Sequence, residues 1–319
     1  MITLTRFASF VDRLNSFLLE HSRSKLNLYN IAVEDLIKGG GKRLRPILMN
    51  LAGHFGDYRV EKMLPIAAGV ELLHMATLVH DDIIDRAKLR RGRVTIQQKY
   101  GSNIAVFVGD YLLSKSYILF SQDLSRHCLN KLNRVVRLIC EGEIQQYQSR
   151  YNNTITFRDY LRRIRKKTAL LFGLSTYTGA YESGLRGKLL YNLYNVGLEL
   201  GMAFQIQDDL LDFIGEQGII GKGVHRDILD GIYTLPVILL FNDPNYSMRV
   251  REIFAHTLVR EEQLARINSL IEEGEFIKKS QKIGYRFLDR AINHLDSLPA
   301  NRYKEDLRYI INWQLKRTK

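Results

Sequence analysis

Proline is scarce in this 319-residue chain: Pro46, Pro65, Pro236, Pro244 and Pro299 are all there is, so long stretches escape the residue that interrupts helices most reliably. There is no Pro-, Gly- or Ser-rich linker, no internal repeat and no low-complexity tract. One large domain over residues 1–319 is therefore expected, although the length alone would accommodate about two. No apolar run approaches the ~18 uncharged residues of a membrane span, and the amino terminus from Met1 to Arg6 lacks the basic-then-apolar layout of a secretory signal. The expectation is a cytoplasmic protein with no transmembrane segment. Cys128 and Cys140 are the only two cysteines; they suit a reducing compartment but discriminate weakly. Zinc-finger spacing, an RNA-binding signature and the G-x-x-x-x-G-K-[ST] phosphate loop are missing too, which argues against nucleic-acid binding and against an NTPase.

What is present is helical periodicity. Apolar residues recur mostly at spacings of three and four, and hydrophobic residues make up 45% of the chain, enough for a sizeable core. Helices are expected over 4–20, 30–37, from Pro46 onward, and over 65–85, 103–121, 127–151, 157–182, 186–214, 234–242, 246–256, 261–273, 275–295 and 302–315. Short connections between them predict an all-α bundle. Gly39, Gly40 and Gly41 end the second helix, and Lys42, Arg43 and Arg45 follow, with Pro46 opening the next run. Close backbone approach, cations and the amides of a helix start favour an anion there. The net charge of +13 likewise asks for anionic partners, either a phosphorylated small molecule or an anionic membrane surface at the periphery.

Two acidic runs stand out, Asp81-Asp82-Ile83-Ile84-Asp85 and Asp208-Asp209-Leu210-Leu211-Asp212, each ending a long apolar stretch. Positions four apart share a helix face about 6 Å apart, so Asp81 lies with Asp85 and Asp208 with Asp212. Like charges so close repel unless a cation sits between them. Mg²⁺ suits hard oxygen ligands and keeps substrate phosphates in its shell, so one or two carboxylates per ion suffice. If the two helices faced each other, the clusters would form a cation-loaded jaw able to grip a diphosphate. Solvated helix ends are the blander alternative, weakened because the C-terminal end of a helix disfavours anions.

Together these residues resemble the trans-prenyltransferases, or polyprenyl diphosphate synthases. The resemblance rests on Gly40-Gly41-Lys42-Arg43-Leu44-Arg45-Pro46, on His80 through Asp85 followed by Arg90-Arg91-Gly92, on Lys167-Thr168, on Phe204-Gln205-Ile206-Gln207 leading into Asp208, and on Thr234-Leu235-Pro236. Phe55 to Tyr58, His74 to His80, Glu141-Gly142-Glu143 and Tyr160 to Ile164 are similar to the catalytic large subunit, component II, of bacterial heptaprenyl or hexaprenyl diphosphate synthases.

The resemblance implies a helical bundle of the isoprenoid synthase type with a central substrate cavity. It implies repeated condensation of an allylic diphosphate, farnesyl diphosphate foremost, with isopentenyl diphosphate, for a quinone such as menaquinone. Asp81, Asp85 and Asp208, supported by Asp82 and Asp212, would hold Mg²⁺, and Asp209 and Lys167 join them as catalytic candidates. Arg90, Lys167, Thr168 and Gln205 would hold the allylic end, and Lys42, Arg45, His74 and Arg91 isopentenyl diphosphate. His74 competes with a satisfied core histidine, and the cations with ordinary solvated ones. A small regulatory subunit or a second copy of the chain is the implied partner. A self-sufficient homodimeric synthase of long-chain or geranylgeranyl products is one alternative, and a non-catalytic regulatory subunit another. Gly231-Ile232-Tyr233-Thr234 lacks the lysine that many members carry there, which leaves Lys222 to supply that charge. The basic carboxyl-terminal motif of short-chain synthases is not recognisable in Leu315 to Lys319.

A product chain anchored at Asp81 would run back along its helix, each ~5.4 Å turn matching about one isoprene unit. Ala76 and Thr77, one to two turns upstream, are small, so the path is expected to stay open to long products. Helix packing is the competing use of such small residues.

Overall fold

The computed structural model describes residues 5–214, 226–253 and 261–316. Among these the only strands are a two-residue pair, and all else that is regular is helix. In chain order the first helices are α1 (Ala8–His21), α2 (Asn27–Lys38), α3 (Leu44–Gly53) and α4 (Val60–Ile84). The antiparallel strands β1 (Leu89–Arg90) and β2 (Arg93–Val94) follow, then α5 (Ile96–Tyr100), α6 (Ser102–Asp123) and α7 (Arg126–Gln148). Next come α8 (Phe157–Ile164), a π-helical turn (Arg165–Ala169), α9 (Leu170–Glu182) and α10 (Gly187–Ile214). The last are α11 (Arg226–Leu229), α12 (Leu235–Phe241), α13 (Ser247–Ile253), α14 (Glu261–Glu273), α15 (Phe276–Asp296) and α16 (Arg302–Leu315).

The chain divides into two compact units, Met1–Lys131 with Ser175–Leu193, and Leu132–Leu174 with Tyr194–Lys319. In the first unit α4 is the central element. Ile66, Ala67, Ala68, Leu72, Leu73, Ala76 and Val79 are buried around its whole circumference, as expected of a helix enclosed by others. Its most extensive partner is α6, with α3 and α1 also against it. In the second unit the short α12 has that place. Thr234 precedes it, Pro236 lies in its first turn, and Leu235, Val237, Ile238 and Leu240 are wholly buried against α15, α14 and α8.

Local chemistry explains where elements begin. Thr156 and Asp159 form a reciprocal capping box at the start of α8, and Thr95 and Asn301 cap α5 and α16 by accepting from Gln98 and Lys304 N–H. Three details depart from the sequence expectations. The segment 157–182 is not one helix, because a π turn widens it at Arg165–Ala169. The helix expected from Pro65 begins at Val60 and carries Pro65 inside, where only the bond to the Glu61 carbonyl is forfeited. Finally, α4 and α6 have the length and composition to cross a membrane. Neither helix is an uninterrupted apolar run; α4 includes Glu71, which is neutralised by Arg43. The apolar stretch of α4 is 67% buried in protein and that of α6 only 39%.

Candidate active site

Of the residues singled out in the sequence, Lys42, Arg45, His74, Ala76, Thr77, Asp81, Asp82, Asp85, Arg90 and Arg91 lie in the first unit. Lys167, Thr168, Gln205, Asp208, Asp209 and Asp212 lie in the second, and Lys222 lies outside the described residues.

In the first unit α4 delivers the acidic run on its last turn. Asp81 and Asp85 are half-buried, and the Asp85 N–H donates to the Asp81 carbonyl at 2.9 Å. Asp82 points elsewhere: it is 5% exposed, and its Oδ1 accepts from Arg90 Nε at 2.8 Å. The chain reverses directly after α4, where Arg86 is left-handed (φ 48°) and the Ala87 N–H donates to the Asp82 carbonyl at 2.9 Å, and this brings Arg90 back to the helix end. Arg91 (φ 52°) and Gly92 (φ 75°), just beyond Arg90, are also left-handed, as a two-residue I′ turn requires, and close the hairpin that pairs Arg90 with Arg93. Behind the run, His80 Nε2 stands 3.3 Å from Asp110 Oδ1. Gly109 makes room for that ring, since a Cβ there would come within 2.3 Å of Nε2.

The glycine-rich segment joins this site through Arg43. Its backbone is left-handed (φ 47°) and its side chain buried. Nη1 donates to Glu71 Oε1 at 2.7 Å, Nη2 to the Ile37 carbonyl at 2.9 Å and Nε to Asn15 Oδ1 at 3.1 Å. Arg43 is thus consumed by the fold, while its neighbours Lys42 and Arg45 are exposed and half-buried. Arg91 Nη1 donates to the Gly40 carbonyl, which ties the hairpin to the same segment. The His74 pKa falls well below the usual histidine range because burial penalises the imidazolium and Arg45, Arg91, Arg90 and Arg43 repel it. Burial and charges of one sign thus favour the neutral imidazole at this position. Ala76 is packed inside the protein, and the Thr77 hydroxyl donates to the His74 carbonyl at 2.8 Å.

In the second unit the run on α10 repeats the pattern. Asp208 and Asp212 are half-buried, and Asp209 is 8% exposed. Asp209 Oδ2 accepts from the Tyr160 hydroxyl and Oδ1 from Gln205 Nε2, each at 2.7 Å. Burial pushes the Asp209 carboxyl up to about 6, against those two hydrogen bonds and the Arg163 charge. Gln205 Oε1 in turn accepts from Thr168 Oγ1 at 2.6 Å. The π turn sets Lys167 and Thr168 side by side, and Lys167 Nζ bonds Glu143 Oε2 at 2.9 Å. Phe204 lies against Phe172, ring centroids 5.3 Å apart, in keeping with a packing role.

Sequence reasoning passed over Glu71, and it named Tyr160 and Arg163 only as part of a resembling stretch, with no role for either. A lone glutamate inside an apolar helix face could have signalled Glu71, because such a charge needs a partner. For Tyr160 the resemblance of its stretch marked the position without showing what the buried hydroxyl bonds. Among the described residues no group of three or more His, Cys, Asp or Glu side chains gathers closely enough to hold a metal ion by itself. Each run nonetheless offers two hard carboxylates on one helix face, as many as Mg²⁺ takes when phosphate completes its shell.

A family model described as polyprenyl synthetase matches residues 27–272. The chain is 40% identical over 273 residues to heptaprenyl diphosphate synthase component 2 of Geobacillus stearothermophilus, spanning 86% of this chain and 85% of that one. Heptaprenyl diphosphate synthase from Staphylococcus aureus matches in structure with a TM-score of 0.93 and 30% identity, over 98% of this chain and 99% of that one. A polyprenyl synthase from Caulobacter crescentus CB15, complexed with calcium and isoprenyl diphosphate, matches with a TM-score of 0.88 and 30% identity, over 99% and 95%.

Proposed function

Since the chain belongs to the polyprenyl synthetase family, and is therefore a prenyltransferase of the all-α isoprenoid synthase fold, we propose that it extends an allylic diphosphate, farnesyl diphosphate first, by successive isopentenyl units to a long-chain polyprenyl diphosphate. The product would serve as the side chain of a quinone such as menaquinone, made in the cytoplasm. One observation carries the reading. In both acidic runs the middle aspartate is buried and held by the protein, while the first and last stay half-buried on a common helix face.

Asp81, Asp85, Asp208 and Asp212, with Asp82 in support, would hold Mg²⁺, which when bound neutralises charge on the departing diphosphate. The chain's own groups do the rest. Lys167, Thr168, Gln205 and Arg90 hold the allylic diphosphate as its C1–O bond breaks and the diphosphate leaves with the electron pair. Lys42, Arg45 and Arg91, with the neutral His74 as hydrogen-bond donor, hold isopentenyl diphosphate so that its double bond attacks C1; a proton is then lost to regenerate an alkene. The name of the Geobacillus relative, component 2, supports a second component as partner. The apolar side of α6, where Val106, Phe107 (66% exposed) and Ile118 face outward, is a surface for it to cover.

Mass analysis of products from farnesyl diphosphate, isopentenyl diphosphate and Mg²⁺, with and without the candidate small subunit, tests this. A long product only with both polypeptides is the expected result. Activity of the chain alone would favour a homodimer, and a product no longer than geranylgeranyl would remove the long-chain reading.

A further inference from the structure

Tyr160 has no part in the scheme above, yet it is the largest wholly buried side chain with a hydroxyl. From α8 its OH donates to Asp209 Oδ2 at 2.7 Å, and burial beside that carboxylate raises its pKa well above the usual phenol range, so the proton stays in place. With one carboxylate oxygen occupied, the other is left to receive Gln205 Nε2 at 2.7 Å. The amide orientation follows: Oε1 is turned to the Thr168 hydroxyl, which donates to it at 2.6 Å. One turn on in α8, the Arg163 guanidinium lies 5.5 Å from the Tyr160 ring centre and donates to the Tyr233 carbonyl, just ahead of Thr234. A single buried relay thus joins α8, α10, the π turn and the segment that opens α12, all within the second unit.

The relay also assigns protons. Thr168 spends its hydroxyl hydrogen on Gln205, and Gln205 spends one amide hydrogen on Asp209, so the donor left to an anion is the second Gln205 N–H. We infer that Tyr160 is a positioning residue for the allylic diphosphate, acting through Asp209 to fix the Gln205 amide as a donor to that group, with Thr168 serving as its brace. This inference rests on the reading of Gln205 as an allylic-substrate residue. Every link from Tyr160 through Asp209 and Gln205 to Thr168 is a hydrogen bond between groups already in contact, so no proton needs to move.

The test is calorimetric binding of farnesyl diphosphate with Mg²⁺, and separately of isopentenyl diphosphate, to the full chain with its partner subunit where one is required, alongside steady-state KM values. Tyr160→Phe removes one oxygen and keeps the ring. The expected result is an approximately tenfold weaker Kd and higher KM for the allylic diphosphate, with isopentenyl diphosphate changed less than about twofold and the circular dichroism unchanged. In a Gln205→Ala background the same substitution should add nothing. Equal weakening for both substrates, or an undiminished effect without Gln205, would reduce Tyr160 to a packing residue and overturn the inference. Should Tyr160→Phe not fold, Asp209→Ala carries the test. Asp209→Ala removes both acceptor oxygens, so Gln205 loses its partner and the allylic-selective loss should be reproduced; unaltered allylic binding would again overturn the inference. Wild-type protein that neither binds nor turns over farnesyl diphosphate would instead sink the functional reading itself.

Discussion

In a helix the second aspartate of an Asp-Asp-x-x-Asp run points about 100° away from the first, so when the first and last look outward the second is driven into the protein. Asp82 and Asp209 both take that inward path and meet different answers, a guanidinium in one case and a phenol with an amide in the other. The sequence made the shared face of Asp81 and Asp85 legible through spacing alone. The partners of the middle residues were not legible, because Arg90 is brought back by the turn that follows α4 and Tyr160 comes from a helix 49 positions away. Arg43 and Glu71 make the same point: 28 residues apart, both buried, they form a pair that no local pattern announces. Breaking such a pair from one side leaves an uncompensated buried charge. Glu71→Gln is therefore expected to cost about 3–5 kcal/mol in urea unfolding and to raise the KM for isopentenyl diphosphate, since Arg43 lies between Lys42 and Arg45. A loss below about 1 kcal/mol would mean that the guanidinium finds water or another acceptor.

At the scale of the element, α4 combines two duties that conflict. It must be apolar on every side to sit at the centre of its unit, and it must end in carboxylates. Its length resolves the conflict, with the core between Met63 and Val79 and the acidic turn beyond. Leu72, fully buried in the middle, should lose about 2–5 kcal/mol of stability on truncation to alanine, measured by thermal or chemical denaturation; a cost near zero would mean that the helix is not packed as described. Ala76 is closer to the chemistry. Ala76→Tyr is expected to shorten the product toward the farnesyl or geranylgeranyl range, read by mass analysis, whereas an unchanged long product would assign this small residue to helix packing alone. Periodicity revealed most helices because apolar spacing is a local property. It could not reveal the π turn, whose extra residue keeps the apolar face continuous while shifting Lys167 and Thr168 relative to α8.

For the whole molecule, the all-α class followed from few prolines and helical spacing, and the family was recognisable in residues spread between 39 and 236. The net charge of +13 is consistent with substrates that each carry a diphosphate. The functional account requires both Asp81 and Asp208 for turnover. Turnover of farnesyl and isopentenyl diphosphates by wild-type, Asp81→Ala and Asp208→Ala proteins, each with Mg²⁺ and with a chelator, tests that requirement most directly. The account predicts turnover that vanishes without the divalent ion and falls at least several hundredfold in each folded variant, the size of effect that lost stabilisation of a leaving group produces at several kcal/mol. Either variant retaining near wild-type turnover, or a wild-type rate indifferent to chelation, would contradict it.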